Sequence, residues 1–184
     1  MLPPDVETER LRLRAFTPED LSDLHLIFGD PRVMKYISGG TPRSREETEI
    51  GLGRTIEGWQ RRGFGFWAVT SKDDDKLIGY CGLILLEDTT EVEVAYGFKR
   101  SHWGKGFATE AARACLRFGF EELKLERIVA VVNHGNVASQ RVLEKLGMTY
   151  RRDVHHYDAD LMYYDISSAD YSPEDAPYSL SRRV

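Results

Sequence analysis

From residue 91 to residue 112 the chain reads Glu91-Val92-Glu93-Val94-Ala95-Tyr96-Gly97-Phe98, Lys99-Arg100-Ser101-His102-Trp103-Gly104-Lys105-Gly106, Phe107-Ala108-Thr109-Glu110-Ala111-Ala112. The first part alternates as a strand does. From Ala108 the apolar residues fall at 108, 111, 112, 115, 116, 119, 120 and 123, which predicts one face of a helix ending near Leu123. Glycines at a strand-to-helix junction permit tight turns and leave amides uncovered, and a helix start adds unpaired donors and partial positive charge. Such a junction can hold a phosphate through its backbone, with Lys105 adding a charge. Spacing excludes two better-known phosphate loops. Walker A needs GxxxxGK followed by Ser or Thr, and the dinucleotide fingerprint needs a third glycine where Thr109 stands.

Outward from this segment, Arg10 to Phe16 alternates as a half-buried strand. Thr17-Pro18 opens a helix carrying Leu21, Leu24, Ile27 and Phe28, and Ser44-Arg45-Glu46-Glu47 has the spacing of a capping box for a second helix that stops near Gly63. Phe64 to Ser71, Leu77 to Leu86 and Glu91 to Phe98 read as an antiparallel meander. The β-branched run Arg127 to Val132 predicts a strand buried on both faces. A helix from Val137 to Leu146 with Gly147 to end it follows, then closing strands Met148 to Tyr157 and Asp160 to Ile166. The order is βααβββαβαββ, an α+β domain over residues 1–166. From Ser167 to Val184 periodicity is lost and Pro, Ser and Asp accumulate, so this segment reads as a flexible tail unless it docks.

With 184 residues, 41% hydrophobic and 30% charged, one domain is expected. The 30 Asp and Glu outnumber the 25 Lys and Arg to give −5, so no global cationic field draws the chain to nucleic acid or anionic lipid. No stretch approaches the ~20 apolar residues of a membrane span, and the expected location is cytoplasmic. Cys81 and Cys115 lack a CxxC spacing and are expected as free buried thiols; the five histidines form no two-His zinc motif, and no metal is expected.

Three blocks, in order, carry a resemblance: Glu7-Thr8-Glu9-Arg10-Leu11-Arg12-Leu13-Arg14, Trp103 through Ala111, and Asn136-Val137-Ala138-Ser139 leading to Leu143-Glu144-Lys145-Leu146-Gly147-Met148. They resemble the GCN5-related N-acetyltransferase (GNAT) superfamily, specifically its ribosomal-protein N-terminal acetyltransferase branch (RimJ/RimL type) and small-amine relatives, from about Glu7 to Ile166. The likeness implies a mixed, mostly antiparallel sheet splayed in the middle and flanked by helices. It implies acetyl-CoA as co-substrate, its pyrophosphate on a loop patterned Arg or Gln, two residues, Gly, one residue, then Gly or Ala. Gly104 and Gly106 match, whereas Ser101 occupies the Arg/Gln position, with Arg100 as a candidate replacement.

Acetyl transfer to an amine needs a neutral amine, a stabilised oxyanion and a proton for the leaving thiolate. An α-amine of pKa near 8 is roughly 10% neutral at pH 7, and a lysine amine of pKa near 10.4 far less, so a base matters more for lysine. The resemblance puts Glu93 at the general-base position, with Glu91 on the same face; two solvated carboxylates on an exposed strand face are the competing reading. It assigns the oxyanion donor to main-chain N–H groups near Val94 to Tyr96, and the thiolate proton to Ser139, which alternatively caps its helix turn or binds the pantetheine arm. Asn136 is both N-cap and cofactor contact. The cofactor set is thus Val94, Tyr96, Ser101, Gly104, Lys105, Gly106, Phe107, Ala108, Asn136 and Ser139; Tyr36, Glu91 and Trp59 are acceptor-side candidates, core packing being the alternative for Trp59. Glu110, repelled by a phosphate, is expected to face away and stabilise its own helix start. The implied activity is transfer to a protein N-terminal α-amine or small amine in a ternary complex, by a monomer or homodimer; the alternative is a non-catalytic CoA-binding sensor or interaction protein.

Overall fold

The computed structural model describes residues 3–173 and 176–181, without the side chain of Ser38. Its strands are β1 (Asp5–Glu7), β2 (Leu11–Arg14), β3 (Phe66–Ser71), β4 (Leu77–Leu85), β5 (Val92–Phe98), β6 (Arg127–Asn133), β7 (Thr149–His156), β8 (Ala159–Ser167) and β9 (Ser179–Ser181). They form one sheet in the order β7-β8-β6-β5-β4-β3-β2-β1-β9. Helices are α1 (Leu21–Phe28), α2 (Pro31–Met34), α3 (Arg45–Arg62), α4 (Phe107–Arg117) and α5 (Val137–Lys145).

Every neighbouring pair is antiparallel except β5 and β6. Those two share the single register pair Glu93↔Val129, although β5 pairs with β4 and β6 with β8 along their whole lengths. Beyond Glu93 the two strands part, and the sheet has a wedge in its middle. Side-chain alternation gives each face its own core. Leu11, Leu13, Trp67, Cys81 and Leu83 pack with the α4 residues Ala111, Cys115 and Leu116 and with Leu143 of α5. On the opposite face Phe16, Ala68, Leu77 and Tyr80 meet Leu24 and Ile27 of α1 and Leu52 of α3.

Local chemistry explains most boundaries. Ser44 Oγ accepts from the Glu47 amide at 3.1 Å while the Glu47 carboxylate accepts from the Ser44 amide at 2.7 Å, and α3 ends at Gly63 with φ 75°. After α4 the chain widens into a π turn, Phe118–Glu122, instead of continuing as an α-helix to Leu123. Gly119 allows the close approach, since a Cβ there would meet Ile128 Cδ1 at 2.6 Å. Cys81 and Cys115 are free and buried, their Sγ atoms 3.3 Å apart.

Three elements escape the periodic reading. β1 has three residues, too few to show alternation. α2 is a single turn, opened by Pro31 and by the Asp30 carboxylate accepting from the Arg32 amide at 2.8 Å. β9 lies in the segment expected to be a flexible tail, which instead docks. Tyr171 stacks on Phe120 at 4.6 Å, Arg117 covers the Tyr178 ring at 4.5 Å, and Leu180 pairs with Val6. Composition conceals this because the docking residues are single aromatics spaced among Pro, Ser and Asp. Two parts of that expectation, 174–175 and 182–184, lie outside the described residues. Among the described residues no helix is long and apolar enough to cross a membrane, and no group of three or more His, Cys, Asp or Glu side chains could hold a metal ion.

Candidate active site

β5 delivers the chain at Phe98 to a short 3-10 turn, Arg100–His102, and then to the glycines. Gly104 and Gly106 have φ 72° and 82°, a left-handed backbone that side chains resist, and Gly106 is the N-cap of α4. The first helical bond runs from the Glu110 amide to the Gly106 carbonyl at 3.0 Å. Among the described residues, the amides of Gly106, Phe107, Ala108 and Thr109 donate to no protein acceptor. They form a set of orphan donors at the positive end of α4.

Arg100, the candidate replacement for the missing Arg or Gln, has its Nε 3.7 Å from Asp30 Oδ2, while Ser101 is exposed and its hydroxyl meets His102 Nδ1 at 3.0 Å. Lys105 is exposed. The brace comes from Arg10, on the β1–β2 connection. Its Nη1 donates to the Lys105 carbonyl at 2.9 Å, its guanidinium lies 4.5 Å from the centre of the Phe107 ring, and it pairs with Glu110 at 2.6 Å. Glu110 therefore does not simply serve its own helix. Its carboxylate also accepts from Thr8 Oγ1 at 2.7 Å and from the Arg10 amide at 2.8 Å, clamping the β1–β2 connection to α4.

The wedge between β5 and β6 opens into a cavity of about 530 Å³. Glu93, Val94 and Tyr96 line it from β5, Asn136 and Ser139 from α5, and Tyr36 from the α2–α3 connection. Alternation along β5 sends Glu93 to the α1–α3 face and Tyr96 to the α5 face. Tyr96 Oη and Ser139 Oγ are 2.8 Å apart, and the Ser139 amide donates to Asn136 Oδ1 at 3.2 Å, so Asn136 caps α5 as expected. Burial pushes the Tyr96 phenol up, against the opposing effect of the Ser139 hydrogen bond.

Glu93 is only 4% exposed, which removes the solvated-carboxylate reading for this residue. Burial raises its carboxyl to about 7, with hydrogen bonds from the Tyr157 hydroxyl and the Val131 amide pulling the other way. Tyr157 Oη donates to Glu93 Oε2 at 2.8 Å. Tyr157 is a site residue the sequence does not announce. It sits with Asp158 in the two-residue turn between β7 and β8, both at left-handed φ (53° and 55°), and its amide is held by the Glu87 carboxylate. A Tyr-Asp pair in such a turn costs on the order of 1 kcal/mol or more per residue relative to glycine. Only the fold brings this hairpin tip over β5.

Two acceptor-side expectations are corrected. Trp59 is 3% exposed and belongs to the core: its indole N–H donates to the Phe66 carbonyl at 2.8 Å and its ring packs edge-on against Trp67 at 4.6 Å. Glu91 precedes β5, outside the cavity wall, and accepts from the Tyr163 hydroxyl at 2.6 Å. Two residues before Glu93, it lies on the side of the Glu93–Val129 pair away from the wedge.

A mixed sheet that parts between two parallel strands, with free amides at the helix after the first of them, is the arrangement that the resemblance implied. Residues 10–149 match the acetyltransferase (GNAT) domain family, and the chain belongs to that family. It is an N-acetyltransferase, and the family's acyl donor is acetyl-CoA. It is similar to the uncharacterized protein YkkB of Bacillus subtilis, 36% identical over 166 residues covering 88% of this chain and 94% of the relative. It is also similar to the uncharacterized N-acetyltransferase p20 of Bacillus licheniformis, 33% identical over 76% of this chain and 79% of the relative. Among solved structures, a GNAT-family acetyltransferase from Bacillus anthracis superposes with a TM-score of 0.78 at 29% identity, covering 90% of this chain and 99% of the other.

Proposed function

We propose that the chain transfers the acetyl group of acetyl-CoA to a primary amine by direct attack in a ternary complex. The acceptor class is a protein N-terminal α-amine or a small amine, as in the RimJ/RimL-type branch it resembles. Bound acetyl-CoA supplies the thioester carbon that the amine attacks. The amides of Gly106 to Thr109 hold its pyrophosphate, and because they are backbone groups already aimed by α4 and braced by Arg10, the serine at position 101 leaves the cradle intact. Unpaired N–H groups of β5 past Glu93 face the wedge and serve the developing oxyanion.

Glu93 takes the proton from the attacking amine. A carboxyl at about 7 is half ionised near neutral pH, and its conjugate acid is weak enough for the carboxylate to accept a proton from a bound ammonium. Tyr157 fixes the carboxylate's orientation. On the other face the hydrogen-bonded Tyr96 and Ser139 hydroxyls deliver a proton to the departing sulfur, a modest demand for a thiol of pKa about 8.5.

The buried Glu93 carboxylate at the point where β5 and β6 part is the observation that carries this reading. Release of free CoA thiol, followed against a panel of peptides and small amines, tests it. kcat/KM is expected to rise with pH through an apparent pKa near 7, because the base works only when deprotonated. In Glu93→Gln the component near 7 should vanish, leaving only the acceptor amine's own ionisation, while acetyl-CoA still binds. Turnover by the variant within threefold of the parent's, with the same limb, defeats the assignment of the base.

A further inference from the structure

The α1–α3 side of the cavity is mostly aromatic and apolar, and its charges are segregated by element. Two carboxylates, Glu93 and Asp158, come from β5 and the β7–β8 tip; two cations, Lys35 and Arg43, come from the connection between α2 and α3. Arg43 is half-buried. Its guanidinium lies 4.4 Å from the centre of the Phe28 ring, and Phe28 in turn stacks on Tyr80 at 5.1 Å. Arg43, Tyr80 and Glu93 line the same cavity. Arg43 has no carboxylate within ion-pairing distance among the described residues; Glu47, on which its charge acts, is bound to the Ser44 amide. Lys35 stands at the exposed rim with its ammonium 4.9 Å from the Tyr36 ring centre and no acidic partner among the described residues. A half-buried guanidinium that lines the cavity with no protein anion on it among the described residues can take one from a ligand, and its planar fork matches a carboxylate.

We infer that the acceptor is an amine that also carries a carboxylate on an apolar body, the amine directed to Glu93 and Asp158 and the carboxylate held by Arg43, with Lys35 at the rim. This rests on the amine-transfer reading above. A second ammonium, as on a polyamine, would be driven against Arg43. The carboxylate is either that of a free amino acid or an acidic side chain next to a peptide N-terminus; the two present the same group to the same guanidinium.

Matched acceptors separate these possibilities. Phenylalanine is compared with 2-phenylethylamine, and the dipeptide amide Ala-Asp with Ala-Lys, by CoA thiol release. In at least one pair the carboxylated member should show a kcat/KM about tenfold higher, the effect of one charge-assisted hydrogen-bonded pair, and the pair that shows it identifies the source of the carboxylate. Arg43→Gln should shrink that ratio through KM, and Arg43→Lys should restore part of it. Equal use of both members in both pairs, or preference for the uncharged or cationic ones, overturns the inference while leaving amine transfer standing. A readout independent of turnover is calorimetric binding of 3-phenylpropanoate, which has the body and the carboxylate but no amine. Binding weakened severalfold in a folded Arg43→Gln supports the carboxylate seat even if no amine is acetylated, an outcome that would defeat only the transfer reading. Absence of binding, or binding indifferent to Arg43, overturns it.

Discussion

The donor loop follows β5 and the acceptor cavity is lined by it, but the two are built on opposite principles. The loop is contiguous, Gly104 through Thr109, and works through main-chain amides whose aim is set by two left-handed glycines and the start of α4. The cavity is assembled from side chains on separate elements: Glu93 from β5, Tyr157 from a hairpin tip, Tyr36 and Arg43 from the connection ahead of α3. A backbone device depends on local conformation, set here by Gly104, Gly106 and the start of α4. A side-chain device depends on which surfaces the fold brings together, and a shift of two residues along one strand moves a carboxylate from the cavity to an unrelated tyrosine, as Glu91 shows.

The sharpest way to break this comparison is to remove the two carboxylates in turn. Glu93→Gln is expected to lower kcat by 10²–10⁴, the usual worth of a general base, whereas Glu91→Gln should stay within about threefold. Steady-state rates with saturating acetyl-CoA decide, and comparable losses in both would mean that β5 contributes charge rather than one placed base.

The loop is probed by its glycines. At Gly106 an added Cβ meets left-handed strain and lies 3.4 Å from Arg10 Nη2, while at Gly104 it meets nothing within 4 Å. Gly106→Ala should raise the KM for acetyl-CoA by roughly tenfold and Gly104→Ala by less, since the backbone cost of 1–2 kcal/mol is common to both and only the first disturbs the brace. Neither should move the acceptor KM.

Tyr157→Phe removes a hydrogen bond that holds the Glu93 carboxyl down, so that carboxyl rises further. The alkaline-going limb of the rate profile should shift to higher pH, and the rate at pH 7 should fall about three- to tenfold, in line with losing one hydrogen bond to a charged group. A fall with no displacement of the limb would reduce Tyr157 to a wall residue.

The smallest effect is expected at Glu110→Gln. The ion pair with Arg10 is half-exposed, 45% on the arginine side, so its loss is worth about 1 kcal/mol or less. That corresponds to a Tm lower by about 2–4 °C for a chain of this size, with a slight rise in acetyl-CoA KM as the β1–β2 connection loosens.

Much of the architecture is legible in one dimension because its signals are local. Alternation in Phe64 to Phe98, the capping box at Ser44, and glycines at 63, 104, 106 and 147 mark elements whose boundaries the structure moves by only a few residues. β1 and β9 are illegible for the opposite reason: each is three residues long and is a strand only through its neighbours, β2 and β9 for β1 and β1 for β9. Within the site, Gly104, Gly106, Asn136, Ser139, Glu93 and Tyr36 can be named from the sequence, yet nothing in it separates Glu93 from Glu91 or Trp59 from a cleft residue. Burial makes both distinctions, and burial is a property of the packed chain.

By itself, then, the order of residues determined the glycine junction, the helix that follows it and the strand that precedes it, since turn chemistry and side-chain period act over a few neighbours. The tertiary structure alone decided that β5 and β6 touch at one pair and then part, that a hairpin tip more than sixty positions away donates a phenol to Glu93, and that Arg43 has no counter-ion among the described residues. Those facts follow from desolvation and long-range packing, which place groups according to the space the folded chain leaves for them.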